Sequence, residues 1–341
     1  MNGRRFRIAA ALVALTASAC GGGGGAKAKD ATDTKSSDWF SKLVDDQTDS
    51  EIRMRPNDFA TDSFAGPLVD TADKQASSKL DNPAAAAMIK VIEKSDVVVV
   101  AVRKMKPADA VVVIGGVPSG TNPDGVVDSS GAPVWKKADS SPAGLDEWQL
   151  TSGSPDDQAG RLAVAGGSTW VFGTGPAVAR MNEALSGGSA SAYAPDAAGG
   201  GKDLFDITLA GDGLDTIKND PRAPLPPPIA STLKHVSIVF DGGTSPGFHA
   251  KLTYADEPSA AQADQLLNAM AARVPMMKVI GDLKIAHSGS DLTADLPVSP
   301  AVRDLVIASA STSGSGDASM PPPSINARPQ EIKPKKKKKG H

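Results

Sequence analysis

The sequence is short of cysteine, aromatic residues and long apolar runs, and each shortage excludes a class of protein. Cys20 is the single cysteine among 341 residues, so neither an intramolecular disulfide nor a cysteine metal site can form. The apolar run at residues 97–102 has the length of a strand, well short of the roughly 20 residues of a transmembrane helix. With four Trp, two Tyr and eight Phe, the core must be built mainly from Val, Ile, Leu and Ala.

The charge is unevenly distributed along the chain. The formal net charge is −3, but residues 321–341 carry seven basic side chains against one acidic side chain. Three arginines near the N-terminus add further positive charge, which leaves residues 20–320 at −12. An acidic body with a basic tail lacks the basic face of a nucleic-acid-binding domain, so we expect no nucleic acid partner.

The N-terminus has the pattern of an export signal. Arg4, Arg5 and Arg7 precede an apolar run at residues 8–16, and small residues follow in Ala17-Ser18-Ala19-Cys20. A basic start, a short apolar run and a small-residue cleavage site predict a secretory signal peptide over residues 1–19.

This segment resembles the signal peptides of bacterial lipoproteins, which are cut before a cysteine that carries lipid on its sulfur. The resemblance implies that Cys20 is the lipid attachment site and that the chain is exported and anchored to the cell envelope. Gly21 after the cysteine implies the outer membrane in a Gram-negative cell. Ala17 stands where the family usually has Leu, and Ala17-Ser18-Ala19 also fits the cleavage site of ordinary secretion. The glycine-rich polar segment at residues 20–37 favours an anchored leash.

The remaining patterns divide the body into two stretches, residues 38–186 and 203–310, joined by a low-complexity link at residues 187–202. The first stretch begins with a short amphipathic helix that Asp38 caps. A helix, two strand pairs and a closing helix follow, at residues 83–94, 96–102 with 110–117, 161–165 with 169–172, and 176–185. Between the two pairs we expect mostly loop at residues 118–144 and then a strand at 145–151.

The second stretch repeats this order of elements. Its strand pairs are predicted at residues 236–240 with 248–254 and 283–287 with 291–296, and a strong helix at 257–273 has no counterpart in the first stretch. Both closing helices start alike, with Gly175-Pro176-Ala177-Val178 and Ser299-Pro300-Ala301-Val302. We therefore predict an α+β fold of two related halves, each an antiparallel sheet with helices packed on one face, with a disordered N-terminal leash and a disordered tail at 311–341.

The body resembles uncharacterised exported bacterial lipoproteins that repeat one strand-pair and helix unit. The similarity covers about residues 38–309 and is carried by the repeated pattern and by the segment at residues 168–176, which combines a turn, a strand and a helix start. It implies no known activity.

One motif suggests catalysis. Gly243-Thr244-Ser245-Pro246-Gly247 matches G-x-S-x-G, the nucleophile elbow of serine hydrolases, in which the serine leads from a strand into a helix. Pro246 lacks the N–H that the oxyanion hole requires, and residues 248–254 alternate like a strand. We expect a hairpin loop here and no enzyme, and a serine hydrolase that uses Ser245 is the alternative.

No other pattern completes a catalytic, metal or cofactor site. His235, His249 and His287 lie at strands and lack zinc-ligand spacing, and His249 is expected on the polar side of its strand with Lys251. Gly199-Gly200-Gly201-Lys202 lacks the first glycine and the hydroxyl residue of a P-loop, and the acids Asp212, Asp215 and Asp220 do not fit an EF-hand.

The C-terminal tail is Pro-rich and ends in a cationic cluster. Its lysines are Lys333, Lys335, Lys336, Lys337, Lys338 and Lys339. At an envelope such a cluster binds anionic lipid headgroups or polymers, or serves as a solubilising tail. The sequence thus predicts a membrane-anchored envelope lipoprotein whose body is a non-catalytic binding or structural module.

Overall fold

The computed structural model describes residues 39–68, 83–104, 109–128, 130–139, 145–151, 160–186, 193, 203–218, 226–273 and 282–304. The predictions for Cys20, the segment at 20–37, Gly199 to Lys202, Asp220 and the C-terminal lysines concern residues outside these ranges. Within the described part, no helix has the length and apolar character to cross a bilayer.

The described strands form one sheet. They are β1 (Ser50–Met54), β2 (Val97–Lys104), β3 (Asp109–Gly115), β4 (Trp135–Lys137), β5 (Glu147–Leu150), β6 (Arg161–Ala165), β7 (Thr169–Thr174), β8 (Asp203–Ala210), β9 (Leu233–Asp241), β10 (Gly247–Tyr254), β11 (Lys284–Ser288) and β12 (Asp291–Pro297). The strand order is β11-β12-β10-β9-β8-β1-β2-β3-β7-β6-β5-β4, and neighbouring strands are antiparallel.

Strand β1 joins the two stretches of the chain into this sheet. It pairs with β2 on one side, where Ile52 lies opposite Val100, and with β8 on the other, where Ile52 lies opposite Ile207. Outwards from the β1–β8 pair the strands run β2-β3-β7-β6 on one side and β9-β10-β12-β11 on the other. The predicted α+β fold of two halves with a sheet each is therefore wrong, because all twelve described strands belong to one continuous sheet.

Six α-helices with assigned bounds lie in the described part of the chain. They are α1 (Pro56–Thr61), α2 (Pro83–Ile92), α3 (Ala177–Leu185), α4 (Asp215–Lys218), α5 (Pro227–Ala230) and α6 (Glu257–Arg273). A 3₁₀ turn at Phe40–Lys42 stands where the first amphipathic helix was predicted, and a short helical turn closes the described chain at residues 300–304.

The sheet has two faces with different cover. We call face A the face that carries Val98, Val100 and, through the strand register, Ile52, Ile207 and Ile238; face B is the opposite face. On face A, Val91 and Ile92 of α2 pack on β2 and β3, and α6 packs on β10, β11 and β12. On face B, α3 and Trp39, Phe40 and Leu43 pack on Val97 and Val99.

The helices therefore do not share one face, which corrects the second part of the fold prediction. The strands around β2 and β3 need cover on both sides because Val97 to Val100 are buried on alternate faces of β2. Face B of β9, β10 and β12 instead carries polar side chains such as His249, Lys251 and Asp295. The helix that contacts β10 and β12, α6, packs on the opposite face A.

Candidate functional site

The Ser245 motif forms a tight turn between two antiparallel strands. β9 ends at Asp241, β10 begins at Gly247, and their register runs from Gly247 opposite Asp241 along both strands. Gly243 has a φ of +85°, which glycine adopts without steric cost. The structure confirms the predicted hairpin loop, and Ser245 leads into a strand, unlike the serine of a nucleophile elbow.

This turn forms one wall of a cavity. The cavity has a volume of about 430 Å³, within the range of about 300–1,000 Å³ that is typical of small-molecule sites. Three stretches far apart in sequence line it: the turn after α1, the β9–β10 turn, and the end of β12 with the closing helical turn. The lining residues are Ser63, Phe64, Gly243, Thr244, Ser245, Pro246, Pro297, Val298, Pro300 and Arg303.

Asp62 ties the first two walls together. One oxygen of its carboxylate accepts a hydrogen bond of 2.6 Å from the Gly243 N–H, a residue 181 positions away. The other oxygen accepts hydrogen bonds of 2.8 Å from the N–H groups of Phe64 and Ala65. Gly242 allows this approach, because a Cβ there would lie 2.7 Å from the Asp62 Oδ2.

Two further hydrogen bonds fix the third wall. The Val298 N–H donates to the Pro246 carbonyl at 2.8 Å, which links the end of β12 to the hairpin turn. The Arg303 Nη1 donates to the Ser63 carbonyl at 3.2 Å, across 240 positions of sequence. Because each wall is hydrogen-bonded to another, the cavity is formed in the absence of a ligand.

The inner side of the cavity is apolar. Phe64 and Val298 belong to a buried cluster that includes Phe240, whose ring centroid lies 6.0 Å from that of Phe64 and 4.8 Å from that of Phe248. Buried phenylalanine rings hold their positions by packing on several neighbours. The cavity therefore combines a rigid apolar floor with a polar rim.

Arg303 and three hydroxyl groups supply that polar rim. The Arg303 Nε and Nη2 donate to Asp304 Oδ1 at 2.9 Å and 2.8 Å. The Arg303 side chain is 24% exposed, whereas that of Asp304 is 64% exposed. Ser63, Thr244 and Ser245 are exposed residues. A charged donor group and several hydroxyls thus border an apolar cavity.

His249 does not complete a catalytic arrangement with Ser245. Its Nε2 lies 2.9 Å from Asp241 Oδ2 and its Nδ1 lies 3.1 Å from Asp295 Oδ1, so both ring nitrogens face carboxylates on face B. Within the described residues, no hydrogen bond joins the Ser245 hydroxyl to a histidine. The predicted orientation of His249, on the polar side of β10 with Lys251, is confirmed.

The other two histidines lie in different places. His235 lies on β9 opposite Thr253, and burial lowers its pKa, with a further lowering from Lys251 and an opposing effect of Asp291. His287 lies on β11, where its Nδ1 contacts Asp264 of α6 at 2.7 Å. In the described part of the chain, no three His, Cys, Asp or Glu side chains are placed to hold a metal ion.

Asp212 and Asp215, two of the three acids considered in the sequence, lie just after the C-terminal end of β8. Asp212 is in the 3₁₀ turn that follows β8 and Asp215 begins α4. Burial raises the pKa of nearby Asp49, and the negative charges of Asp212 and Asp215 raise it further.

Sequence patterns missed the residues that build the cavity. Asp62 stands in the short polar segment Thr61-Asp62-Ser63 and Arg303 next to Asp304 in a mostly apolar segment, and neither belongs to a recognisable motif. The signal that could have been used was the proline and glycine punctuation around the hairpin turn and after β12, which marks close approaches of backbone.

The chain was compared with known proteins in three ways. No protein-family model, no curated protein and no solved structure matches it. Its function must therefore be argued from its own residues.

Proposed function

We propose that the protein is a lipid-anchored lipoprotein of the cell envelope whose body is a non-catalytic binding module. The observation that supports a binding role is the cavity whose three walls are tied together by the Asp62, Val298 and Arg303 hydrogen bonds. A site formed before its ligand arrives avoids the cost of ordering loops on binding. The absence of an acid–base partner for Ser245 within the described part favours binding over hydrolysis.

The N-terminal sequence supports the anchor. Lipid on Cys20 would hold the mature chain at the membrane, and the polar segment at residues 20–37 would give the body reach from its surface. We further propose that the chain lies at the outer membrane in a Gram-negative cell, and that Lys333 and the lysines at 335–339 contact anionic headgroups or polymers.

Metabolic labelling tests the anchor directly. Cells that express the chain are grown with an alkynyl fatty acid, and the mature N-terminus is analysed by mass spectrometry. We expect label and an acylated Cys20 in the natural chain, and no label in Cys20→Ser. Ser18→Ala, which keeps a small residue before the cleavage site, serves as the matched control and should be labelled. An unacylated mature chain would replace the anchor with ordinary secretion.

The alternative, a serine hydrolase, makes a different prediction. Ester hydrolysis should then be lost in Ser245→Ala and kept in Thr244→Ala, the neighbouring hydroxyl on the same turn. If the protein is a binding module, the natural chain and both variants should hydrolyse the ester no faster than the uncatalysed rate. Turnover that depends on Ser245 alone would establish the hydrolase.

A further inference from the structure

We propose that the cavity at the β9–β10 turn binds a small amphipathic carboxylate, with its apolar part on Phe64 and Val298 and its acid group on Arg303. This inference rests on the proposed binding function and names its ligand class. Neither the motif at Ser245 nor any pattern in the sequence assigns such a site.

The shape and lining of the cavity select the apolar part of the ligand. Phe64, Pro246 and Val298 are buried, and none of them offers a free N–H: proline has none, Phe64 donates to Asp62, and Val298 donates to the Pro246 carbonyl. Pro297 and Pro300 extend this apolar lining to the rim. A short alkyl or aryl group gains free energy on such a surface by leaving water, whereas a sugar or an ion would lose hydration without replacement hydrogen bonds.

The charges around the rim select the acid group. Arg303 is the cationic residue among those that line the cavity, and its Nε and Nη2 already donate to one carboxylate oxygen, Oδ1 of Asp304. Asp304 comes from the next residue on the chain and is largely exposed, so its ion pair is solvent-screened and can be exchanged for a ligand carboxylate.

Asp62, the other acid near the cavity, does not hinder the replacement of Asp304 by a ligand carboxylate. The Asp62 carboxylate accepts hydrogen bonds from the N–H groups of Gly243, Phe64 and Ala65, which offset its charge. The hydroxyls of Thr244 and Ser245 lie on the same rim and can donate to a second carboxylate oxygen. The rim therefore provides a cation and hydroxyl donors for one acid group.

Octanoate and 1-octanol test the inference as a matched pair, because they share an alkyl chain and differ in charge. Both are titrated by calorimetry into the full mature chain with Cys20→Ser, so that no lipid competes. We expect octanoate to bind about tenfold more tightly, the size of one charge-assisted hydrogen bond. Arg303→Gln should abolish the preference, Arg303→Lys should keep part of it, and Asp304→Asn should strengthen octanoate binding severalfold.

The outcomes separate the ligand class from the binding function. Equal binding of octanoate and octanol, or a preference that survives Arg303→Gln, overturns the acid class and leaves a binding cavity in place. Failure of both probes and of their four- to twelve-carbon homologues, in proteins whose thermal unfolding is unchanged, overturns the cavity as a ligand site. The labelling of Cys20 is independent of either result.

Discussion

Asp206 is the described side chain whose ionisation the fold opposes most clearly. It lies on β8 opposite Arg53 of β1, and its Oδ1 is buried without a hydrogen-bond partner. The pKa of Asp206 is raised from 3.8 to about 6, chiefly by burial and also by the negative charge of Glu51, while Arg53 opposes the shift. Because the pKa of Asp206 is higher in the folded than in the unfolded protein, its contribution to stability is present in full below about pH 4. That contribution is lost as the pH rises through 6.

We therefore expect Asp206→Asn to stabilise the protein by about 2 kcal/mol at pH 7.5 and by less at pH 5. Urea unfolding of both proteins at the two pH values measures this difference. Asp46→Asn, an exposed residue in the turn before β1, is the matched control and should change stability by less than about 0.5 kcal/mol at either pH. A destabilised Asp206→Asn would mean that the charge is needed for its attraction to Arg53.

For single residues, the sequence predicts which side of a strand a side chain lies on, but it does not predict which charged side chains are buried. The sequence of β10 places His249 and Lys251 on one side, and the structure agrees. The burial of Asp206 depends on a neighbour 153 positions earlier, Arg53, and on the β1 strand that carries it. No local pattern around Asp206 reports that neighbour.

An ion pair holds helix α3 on the sheet. Arg180 Nη1 and Nη2 donate to the two carboxylate oxygens of Asp109 at 2.9 Å and 2.7 Å, and both side chains are at most 20% exposed. We expect Asp109→Ala to cost about 2 kcal/mol, because it leaves the guanidinium partly buried without its partner. Asp146→Ala breaks the exposed pair with Lys137 and should cost less than about 0.5 kcal/mol.

A double-mutant cycle of Asp109→Ala with Arg180→Ala checks the assignment by denaturant unfolding. A coupling energy near zero would show that the two residues act through other contacts. Since α3 also buries Met181 and Leu185, the helix should remain in place in every variant.

Elements with strong periodicity were predicted close to their observed bounds. β6 and α6 match the predicted ranges, and the strand pairs β2–β3, β9–β10 and β11–β12 are present. β1 was missed because Ser50–Met54 is only five residues long and contains two apolar residues, Ile52 and Met54, so its alternation is too short to stand out. That omission caused the wrong fold prediction, since β1 is the strand between β2 and β8.

The cavity belongs to the whole molecule and could not be predicted from one segment. Its walls come from residues 62–64, 243–246 and 297–303, and the hydrogen bonds between them span 181 and 240 positions. Sequence analysis located the hairpin turn correctly and assigned it no partner. Contacts between residues so far apart in sequence follow from the order of strands in the sheet, and that order depends on β1 because it lies between β8 and β2.

A continuous sheet also predicts how the body unfolds. β1 forms five residue pairs with β2 and five with β8, so neither stretch of the chain can lose its strands without exposing an edge of the other. We therefore expect a single calorimetric transition with equal van't Hoff and calorimetric enthalpies. Leu162→Ala on β6 and Leu292→Ala on β12, both fully buried, should each lower the temperature of that one transition. Two transitions, each shifted by one substitution alone, would show that the stretches fold independently despite the shared strand.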